Sequence, residues 1–244
     1  MLEIPVNRAI SYYRSEGLWP FVRASITHTA NRMEALRFSM QYRMRYGATA
    51  PRANERRHID PERIDYAMSK RQIPSDAPLF GIIGGSWDLE KVSRRSVITR
   101  GLRERFEEGK EWEETEYYQT GVNKIRDGIQ LKRLDSEEQT VETLEQYLAR
   151  LDTIYEDMRS NGFDTAAPVP VNIGRDGEWI LHGDGNHRTA LATAAGIERM
   201  PVIIRYRHER WHAIRQEIAQ ANHPESVQGD AVRHLDHPDV ADLI

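Results

Sequence analysis

Gly183-Asp-Gly-Asn-His-Arg188 is the stretch that decides the fold, because of the elements predicted before and after it. Alternating apolar residues predict one strand over residues 169–173 and a second over residues 179–181. The Asp-Gly pair at 176–177 lies between these apolar runs, which is a strong signal for a hairpin. The quoted stretch therefore begins where the second strand of a predicted hairpin ends.

The residues that follow the stretch predict a helix and a further strand. Residues 189–195 are small and favour a helix, Gly196 ends it, and the apolar run over residues 201–206 predicts a third strand. The order is strand, hairpin, strand, glycine turn, helix, strand. This order predicts an α+β protein with a small mixed sheet and places the glycine turn at the start of a helix.

A glycine turn that opens a helix is typical of an anion site, because the N–H groups of the first helical turn point outward. Arg188 adds a fork of donors that fits phosphate oxygens. Asp184 offers a carboxylate to Mg²⁺ or to a proton, and His187 can donate to a phosphate oxygen. We therefore predict a phosphate-binding turn with catalytic residues Asp184 and His187, a metal ligand in Asp184, and nucleotide-binding residues Gly183, Gly185, Asn186 and Arg188.

A second glycine-containing segment, residues 80–88, runs from apolar residues into Gly84-Gly85 and then Trp87-Asp88. A double glycine lets the backbone approach a ligand closely, and a tryptophan ring can stack on a base. On this interpretation Trp87 binds the nucleotide and Asp88 is a second metal ligand. The alternative is the end of a strand with a buried tryptophan.

The turn and its flanks resemble the ParB/sulfiredoxin-like superfamily, whose members carry a Gly-x-x-Arg or Asp-Gly-His-His-Arg box at the start of a helix. Here the box reads Asp-Gly-Asn-His-Arg over residues 184–188, and a Gly-x-x-x-x-Pro-Val strand entry follows at 196–202. Upstream, the helix over 151–162 and the Pro-Val-Pro-Val run at 168–171 also fit. The resemblance covers roughly residues 150–206.

The resemblance implies a small mixed-sheet core that binds a nucleotide such as ATP, ADP or CTP, with Mg²⁺ as cofactor. The superfamily includes CTP-dependent DNA clamps, small-molecule kinases and proposed nucleases. Its substrate-side loop often follows an early strand, so the resemblance also implies that residues 80–88 form the opposite wall of the site. Three readings follow: a nucleotide-binding protein that hydrolyses NTP or transfers phosphoryl to a small molecule, a DNA-associated nucleotide switch or nuclease-like module, and a non-catalytic interaction protein.

Composition limits the chemistry of the 244-residue chain. It has no cysteine, which excludes disulfides, thiolate metal sites and the cysteine chemistry of sulfiredoxin itself. A net charge of −4 gives no overall basic signature for nucleic acid. The sequence has no apolar run of about 18 residues and no signal-peptide pattern at its start, so we expect a cytoplasmic protein without a membrane span.

Charge and proline content suggest three regions. Residues 1–75 form a basic, mostly helical extension and connector, residues 76–222 form the ParB/sulfiredoxin-like domain with a helical insert at about 98–160, and residues 223–244 form a polar tail. Residues 1–71 hold 13 Arg or Lys against 7 Asp or Glu, whereas residues 103–160 hold 9 against 16. These two charged parts either dock on each other or present a face for DNA.

Within the extension, helices are predicted over residues 8–16 and 24–46, separated by Gly17 and Pro20. The second has an apolar stripe and arginines on its other face. We expect the stripe to pack in the core, and the alternative is a basic helix that binds phosphate backbone or an anionic membrane surface. The stripe is Ile26, Met33, Leu36, Met40 and Met44, and the arginines are Arg32, Arg37, Arg43 and Arg45.

Histidines are frequent near the C-terminus. His208 and His212 stand in the letters His-Glu-Arg-Trp-His, which fit a zinc-protease motif, although a role at the surface or at a pocket rim is favoured. His223, His234 and His237 lie in the polar tail, where we expect exposure to solvent.

Overall fold

The computed structural model describes residues 18–94, 96–131, 134, 138–221 and 223–244, so the predicted helix over residues 8–16 lies outside it. It confirms an α+β fold with a mixed seven-stranded sheet. The strands are β1 (Arg56–Ile59), β2 (Tyr66–Met68), β3 (Gly81–Ile83), β4 (Val92–Ser93), β5 (Val169–Ile173), β6 (Trp179–His182) and β7 (Met200–His208). The helices are α1 (Leu18–Tyr46), α2 (Val97–Phe106), α3 (Glu116–Arg126), α4 (Val141–Asn161), α5 (Asn186–Ala194) and α6 (Glu209–Gln220).

The sheet runs in the order β1-β7-β5-β6-β2-β4, and β3 pairs with the last residues of β7. β5 and β7 are parallel, β5 and β6 form the predicted antiparallel hairpin, and β2 is parallel to β6. β5, β6 and β7 are almost wholly buried along their lengths. Their side chains form the core on which the helices pack.

The sheet crosses the predicted boundary after residue 75. β1 pairs with β7, and β2 pairs with β6 through Tyr66 opposite Ile180. Strands of three and four residues between prolines are too short to show a periodic pattern. They form because their neighbours β6 and β7 offer backbone donors and acceptors that must be paired when buried.

Helix α1 already includes Leu18, upstream of the predicted start, and Pro20 does not interrupt it. Its packed face was predicted wrongly. Tyr42 contacts Phe80 edge-on at 5.9 Å and Tyr46 contacts His212 at 4.6 Å, so the aromatic face is the one that packs. Four members of the predicted stripe, Met33, Leu36, Met40 and Met44, are instead between 58% and 82% exposed. The side chain of Ile26 lies outside the described part.

The insert is helical as predicted, and its three helices cover α5. Ser96, Thr115 and Thr140 cap α2, α3 and α4 with their hydroxyl oxygens, and these caps fix starts that periodicity alone placed only approximately. Stacked rings of Phe106 and Tyr155, 4.0 Å apart, join α2 to α4.

The C-terminal segment is a packed part of the fold and not a polar tail. Val240 and the carboxylate of Asp239 are fully buried. His237 stacks on Trp179 at 5.2 Å and donates from Nε2 to the Gly177 carbonyl at 2.9 Å. Among the three histidines expected to be exposed, only His223 is; His234 and His237 are half-buried. Asp239 and His237 can leave water because they meet arginines and a backbone carbonyl, respectively.

None of the helices in the described part of the chain is long and apolar enough to cross a membrane.

Candidate functional site

The turn over residues 183–188 opens helix α5, as the sequence predicts. Gly185 is the N-cap, with φ +102°, and α5 begins at Asn186. A Cβ at Gly185 would lie 2.5 Å from Val169 Cγ1, so both the backbone angle and the close approach to β5 require glycine here. Gly183 and Asp184 are exposed, and they connect β6 to this cap.

The parallel pairing of β2 with β6 brings a second segment to the turn. The two strands end side by side, with Met68 opposite His182, so the next residues lie next to each other. Lys70 Nζ is 2.5 Å from Asp184 Oδ2, and both side chains are about half exposed. Lys70 was not predicted as a site residue. Lys70 reaches the turn because two strands that are distant in the sequence, β2 and β6, pair with each other. The residues around Lys70 give no local indication of this pairing.

The N-terminus of a second helix, α2, meets that of α5 at this place. Asn186 Nδ2 lies 3.5 Å from Oγ of Ser96, the residue that caps α2, and Asn186 Oδ1 accepts from Arg94 Nε at 3.4 Å. Both helix dipoles therefore direct their positive ends to one region. The sequence predicts a single helix N-terminus here, and the structure supplies two.

Arg94 adds a buried cation beside these helix ends. It is only 7% exposed, and its Nη1 donates to the carbonyls of Ile64 at 2.6 Å and Pro61 at 3.3 Å. Within the described residues, no carboxylate lies within 4.0 Å of its guanidinium. Burial lowers the pKa of Arg94 to about 10, so it stays charged at neutral pH. Carbonyl acceptors hold the guanidinium in place, and the nearby Asp65 carboxylate offsets part of its charge.

His187 and Arg188 contact different parts of the fold. His187 Nε2 lies 2.9 Å from the hydroxyl of Tyr117 on α3, and the ring lines a cavity of about 420 Å³ beneath the insert. Arg188 is half-buried, and its Nη1 donates to the Ala167 carbonyl at 2.6 Å, on the loop that leads into β5. Gly183 and Asp184 are thus exposed at the turn, whereas His187 faces the cavity and Arg188 contacts the loop before β5.

Trp87 and Asp88 are not brought to this turn, which corrects the prediction that their loop forms its opposite wall. β3 is parallel to β7 and ends where β5 and β7 end, whereas the turn follows β6 at the other end of the sheet. The five-residue β5 separates the two ends by about 13 Å at roughly 3.3 Å per residue.

The surroundings of Trp87 and Asp88 show packing and ion pairing. Trp87 is 5% exposed and donates from its indole N–H to the Ile83 carbonyl. Asp88 is fully buried, and Arg175 Nη2 lies 2.6 Å from its Oδ1. Although burial alone would raise it, the hydrogen bonds from Arg175 lower the pKa of Asp88. A carboxylate engaged in this way is a structural anchor for the loop.

No cluster of three or more histidine, aspartate or glutamate side chains suited to a metal ion occurs among the residues that the structure describes. His208 uses both ring nitrogens, accepting from the Arg210 N–H and contacting the Gly85 carbonyl at 3.0 Å. Both ring nitrogens of His212 are buried and have no hydrogen-bond partner among the described residues. Burial, and then the charges of Arg207 and Arg215, lower the pKa of His212 to about 4. The His-Glu-Arg-Trp-His letters therefore belong to a buried strand-to-helix junction, which places these histidines in the interior and not at a rim.

The chain matches no protein-family model, and neither a curated protein nor a solved structure was found to match it.

Proposed function

We propose that this protein binds the phosphate groups of a nucleotide at the turn over residues 183–188, on a core of the ParB/sulfiredoxin-like kind. We further propose that it hydrolyses the nucleotide or transfers its phosphoryl group to a small molecule. The observation that carries the proposal is the meeting of two helix N-termini, α2 and α5, beside Lys70 and the buried Arg94.

The electrostatics of this arrangement favour an anion. Each helix contributes roughly half a positive charge at its N-terminus, and Lys70 and Arg94 contribute one full charge each. Asp184 offsets part of this, since its carboxylate is paired with Lys70. A phosphate group that displaces the carboxylate from Lys70 would meet a cation, the outward N–H groups of a helical turn, and a second helix end.

Asp184 is the residue that would hold Mg²⁺. It is exposed and lies at the mouth of the turn, and Mg²⁺ commonly binds one or two carboxylates together with phosphate oxygens and water, so a single protein ligand fits. Mg²⁺ would neutralise charge that develops on the phosphate oxygens. Lys70 would then be free to bind a phosphate oxygen in place of Asp184. His187 would donate a hydrogen bond to the group bound at the cavity side, or accept one from it. Arg188 would orient the end of the phosphate chain.

The test is a titration of ATP, ADP and CTP, with and without Mg²⁺, by calorimetry and thermal shift. We expect Lys70→Met to weaken binding by about 10- to 150-fold, the loss that corresponds to a charge-assisted contact of about 1.5–3 kcal/mol. The matched control is Arg71→Met, because Arg71 is the exposed neighbour on the same short turn. Equal affinity of Lys70→Met and wild type, or no binding of any nucleotide, would sink the proposal.

Two further variants separate binding from catalysis. Arg188→Ala should abolish or greatly reduce nucleotide binding with the fold retained. Asp184→Asn should keep or tighten metal-free binding, because Lys70 is freed, and should remove turnover that depends on Mg²⁺. Full turnover by Asp184→Asn with Mg²⁺ would show that its carboxylate has no catalytic role.

The exposed arginines of α1 favour a second candidate, a DNA-associated module. Arg32, Arg37, Arg43 and Arg45 are all exposed on this helix. If they contact phosphate backbone, affinity for duplex DNA should fall steeply with salt, and charge reversal at Arg37, Arg43 and Arg45 should reduce that slope. The absence of any gel shift at low salt would exclude this candidate.

A further inference from the structure

His182, the last residue of β6, connects the phosphate turn to a small second core on one face of the sheet. Side chains two residues apart in a strand share a face, so His182 lies on the side of Ile180. Ile180 packs there with Met68 and Tyr206. The imidazole of His182 is only partly buried, and its centre lies 5.7 Å from the centre of the Tyr206 ring. The turn begins at the next residue, so this imidazole lies where the core ends and the turn starts.

A buried amide determines which edge of the His182 ring faces inward. Asn172, on the neighbouring strand β5, is fully buried, and its Nδ2 lies 3.2 Å from His182 Nδ1 and 3.0 Å from the sulfur of Met68. The amide nitrogen can only donate, and a thioether sulfur accepts. The opposite orientation of the amide would direct its oxygen at the sulfur and leave two buried N–H groups without either acceptor. Asn172 therefore donates to both the sulfur and the imidazole.

This hydrogen bond fixes the tautomer of His182. Because Nδ1 accepts from Asn172, the proton of the neutral imidazole is on Nε2. The N–H at Nε2 points to nearly the opposite side of the ring from the lone pair on Nδ1. The ring therefore presents a single N–H donor, directed away from the buried amide.

The charged groups of the phosphate turn lie next to this donor. A Cβ at Gly183 would be 2.7 Å from Lys70 Cγ, so the stem of the lysine lies against the residue that follows His182. The charges of Lys70 and Asp184 both act on the imidazole. A phosphate group that replaces the Asp184 carboxylate at Lys70 would thus come close to the Nε2–H group.

We propose that His182 is a further binding residue of the phosphate turn, with its Nε2–H donating to a phosphate oxygen, and that Asn172 is the residue that positions it. This role rests on the proposed function. His182 precedes the glycine turn and Asn172 belongs to a different strand, so neither is part of the motif that the sequence displays. The donor is neutral, and it gives direction to a site whose other groups attract phosphate mainly by charge.

The first test is calorimetry at pH 8, where an imidazole of ordinary pKa is neutral, with whichever of ATP, ADP and CTP wild type binds most tightly. His182→Phe keeps a ring and removes the donor, and it should weaken binding about threefold to tenfold, as expected for one net hydrogen bond. His182→Gln supplies an amide N–H near the position of Nε2 and should recover most of that loss. The matched control is His58→Phe, on the exposed His58 of the marginal strand β1, which should bind as wild type does. His182→Leu replaces His182→Phe should the latter fail to give a native circular dichroism spectrum.

A double-mutant cycle tests whether Asn172 acts through His182. Asn172→Leu removes the donor and leaves the ring free to turn, so it should weaken binding about twofold to fivefold in the wild-type background and by less than about 1.5-fold in His182→Phe. An equal loss in both backgrounds would show that Asn172 has only a structural role.

The ¹⁵N NMR spectrum of the ligand-free protein gives a readout that does not depend on any variant. At pH 8 His182 should show an unprotonated Nδ1 and a protonated Nε2, and addition of the nucleotide should shift the Nε2 signal more than the Nδ1 signal. A proton on Nδ1 in the free protein would overturn the assignment.

The outcomes separate this inference from the proposed function. No nucleotide binding by wild type would overturn both. Nucleotide binding that is weakened in Lys70→Met but unchanged in a folded His182→Phe would retain the phosphate site and refute the role of His182.

Discussion

Replacement of Asp239 by asparagine should destabilise the whole fold, because this carboxylate is the centre of a buried ion cluster. Asp239 is fully buried and accepts from Arg207 Nε at 2.8 Å, from Arg207 Nη2 at 2.5 Å, and from the Trp211 indole N–H at 2.9 Å. Arg215 Nη1 lies 3.3 Å away. Burial alone would raise the pKa of Asp239, but Arg207 holds it far below its usual range, so the carboxylate is charged when folded.

The expected loss of unfolding free energy depends on which ion pairs remain in Asp239→Asn. Removing one partner of a buried ion pair costs about 3–5 kcal/mol, because the other charge is left uncompensated. Here Glu55 still binds Arg207 through both carboxylate oxygens at 2.8 Å, so the loss should lie near the lower figure. We expect Asp239→Asn to lose about 3 kcal/mol of unfolding free energy, which lowers the Tm by roughly 6–12 °C in a chain of this size.

Urea denaturation followed by tryptophan fluorescence measures this loss, with the Tm from a thermal scan as a second readout. The matched control is Asp236→Asn, an exposed carboxylate in the same segment, which should change stability by no more than about 0.5 kcal/mol. A loss below 1 kcal/mol in Asp239→Asn, or an equal loss in the control, would refute the idea that the cluster holds the C-terminal segment on the core.

Other predictions concern pH, the turn and the far loop. Burial lowers the pKa values of His182, His212 and His237 to about 4 from an ordinary 6.5, so the unfolded chain binds these protons first and stability falls as pH drops from 6.5 to 4. His212→Phe should make this part of a pH–stability curve less steep, and His182 and His237 should account for the slope that remains. Gly185→Ala should lower the Tm more than Gly196→Ala, since both have positive φ but only Gly185 also faces Val169 closely. Asp88→Asn should lower the Tm and leave the affinity for ATP unchanged, and weaker ATP binding would contradict the placement of its loop.

The sequence predicts best where one local pattern determines the structure. The strand over residues 169–173 is found with the predicted bounds, because alternating apolar residues and an Asp-Gly turn both favour the hairpin. The helix after the turn begins at Asn186, three residues before its predicted start, since the glycine cap and not the apolar pattern determines where it starts. Likewise α2 begins at Val97, close to the predicted start of the insert at about residue 98, because Ser96 caps it.

What the sequence does not reveal depends on contacts between distant segments. Lys70 reaches Asp184 only because β2 lies beside β6, and Asp88 is removed from the turn only because β3 pairs with the far half of β7. The burial of Asp239 depends on Arg207, which belongs to a different element. The composition of a polar segment is the same whether its polar groups bind water or a buried arginine. For this reason composition alone led to the prediction of an exposed tail.

The longest strand of the sheet has a consequence for how copies of this protein behave in concentrated solution. Two strands share one edge of β7: β1 pairs with its first half and β3 pairs with its last residues. β5 occupies the other edge. The strands at the margins, β1, β3 and β4, are only four, three and two residues long. Short margins offer few unpaired backbone groups for a strand of another molecule to join, so the native sheet is protected against edge-to-edge aggregation.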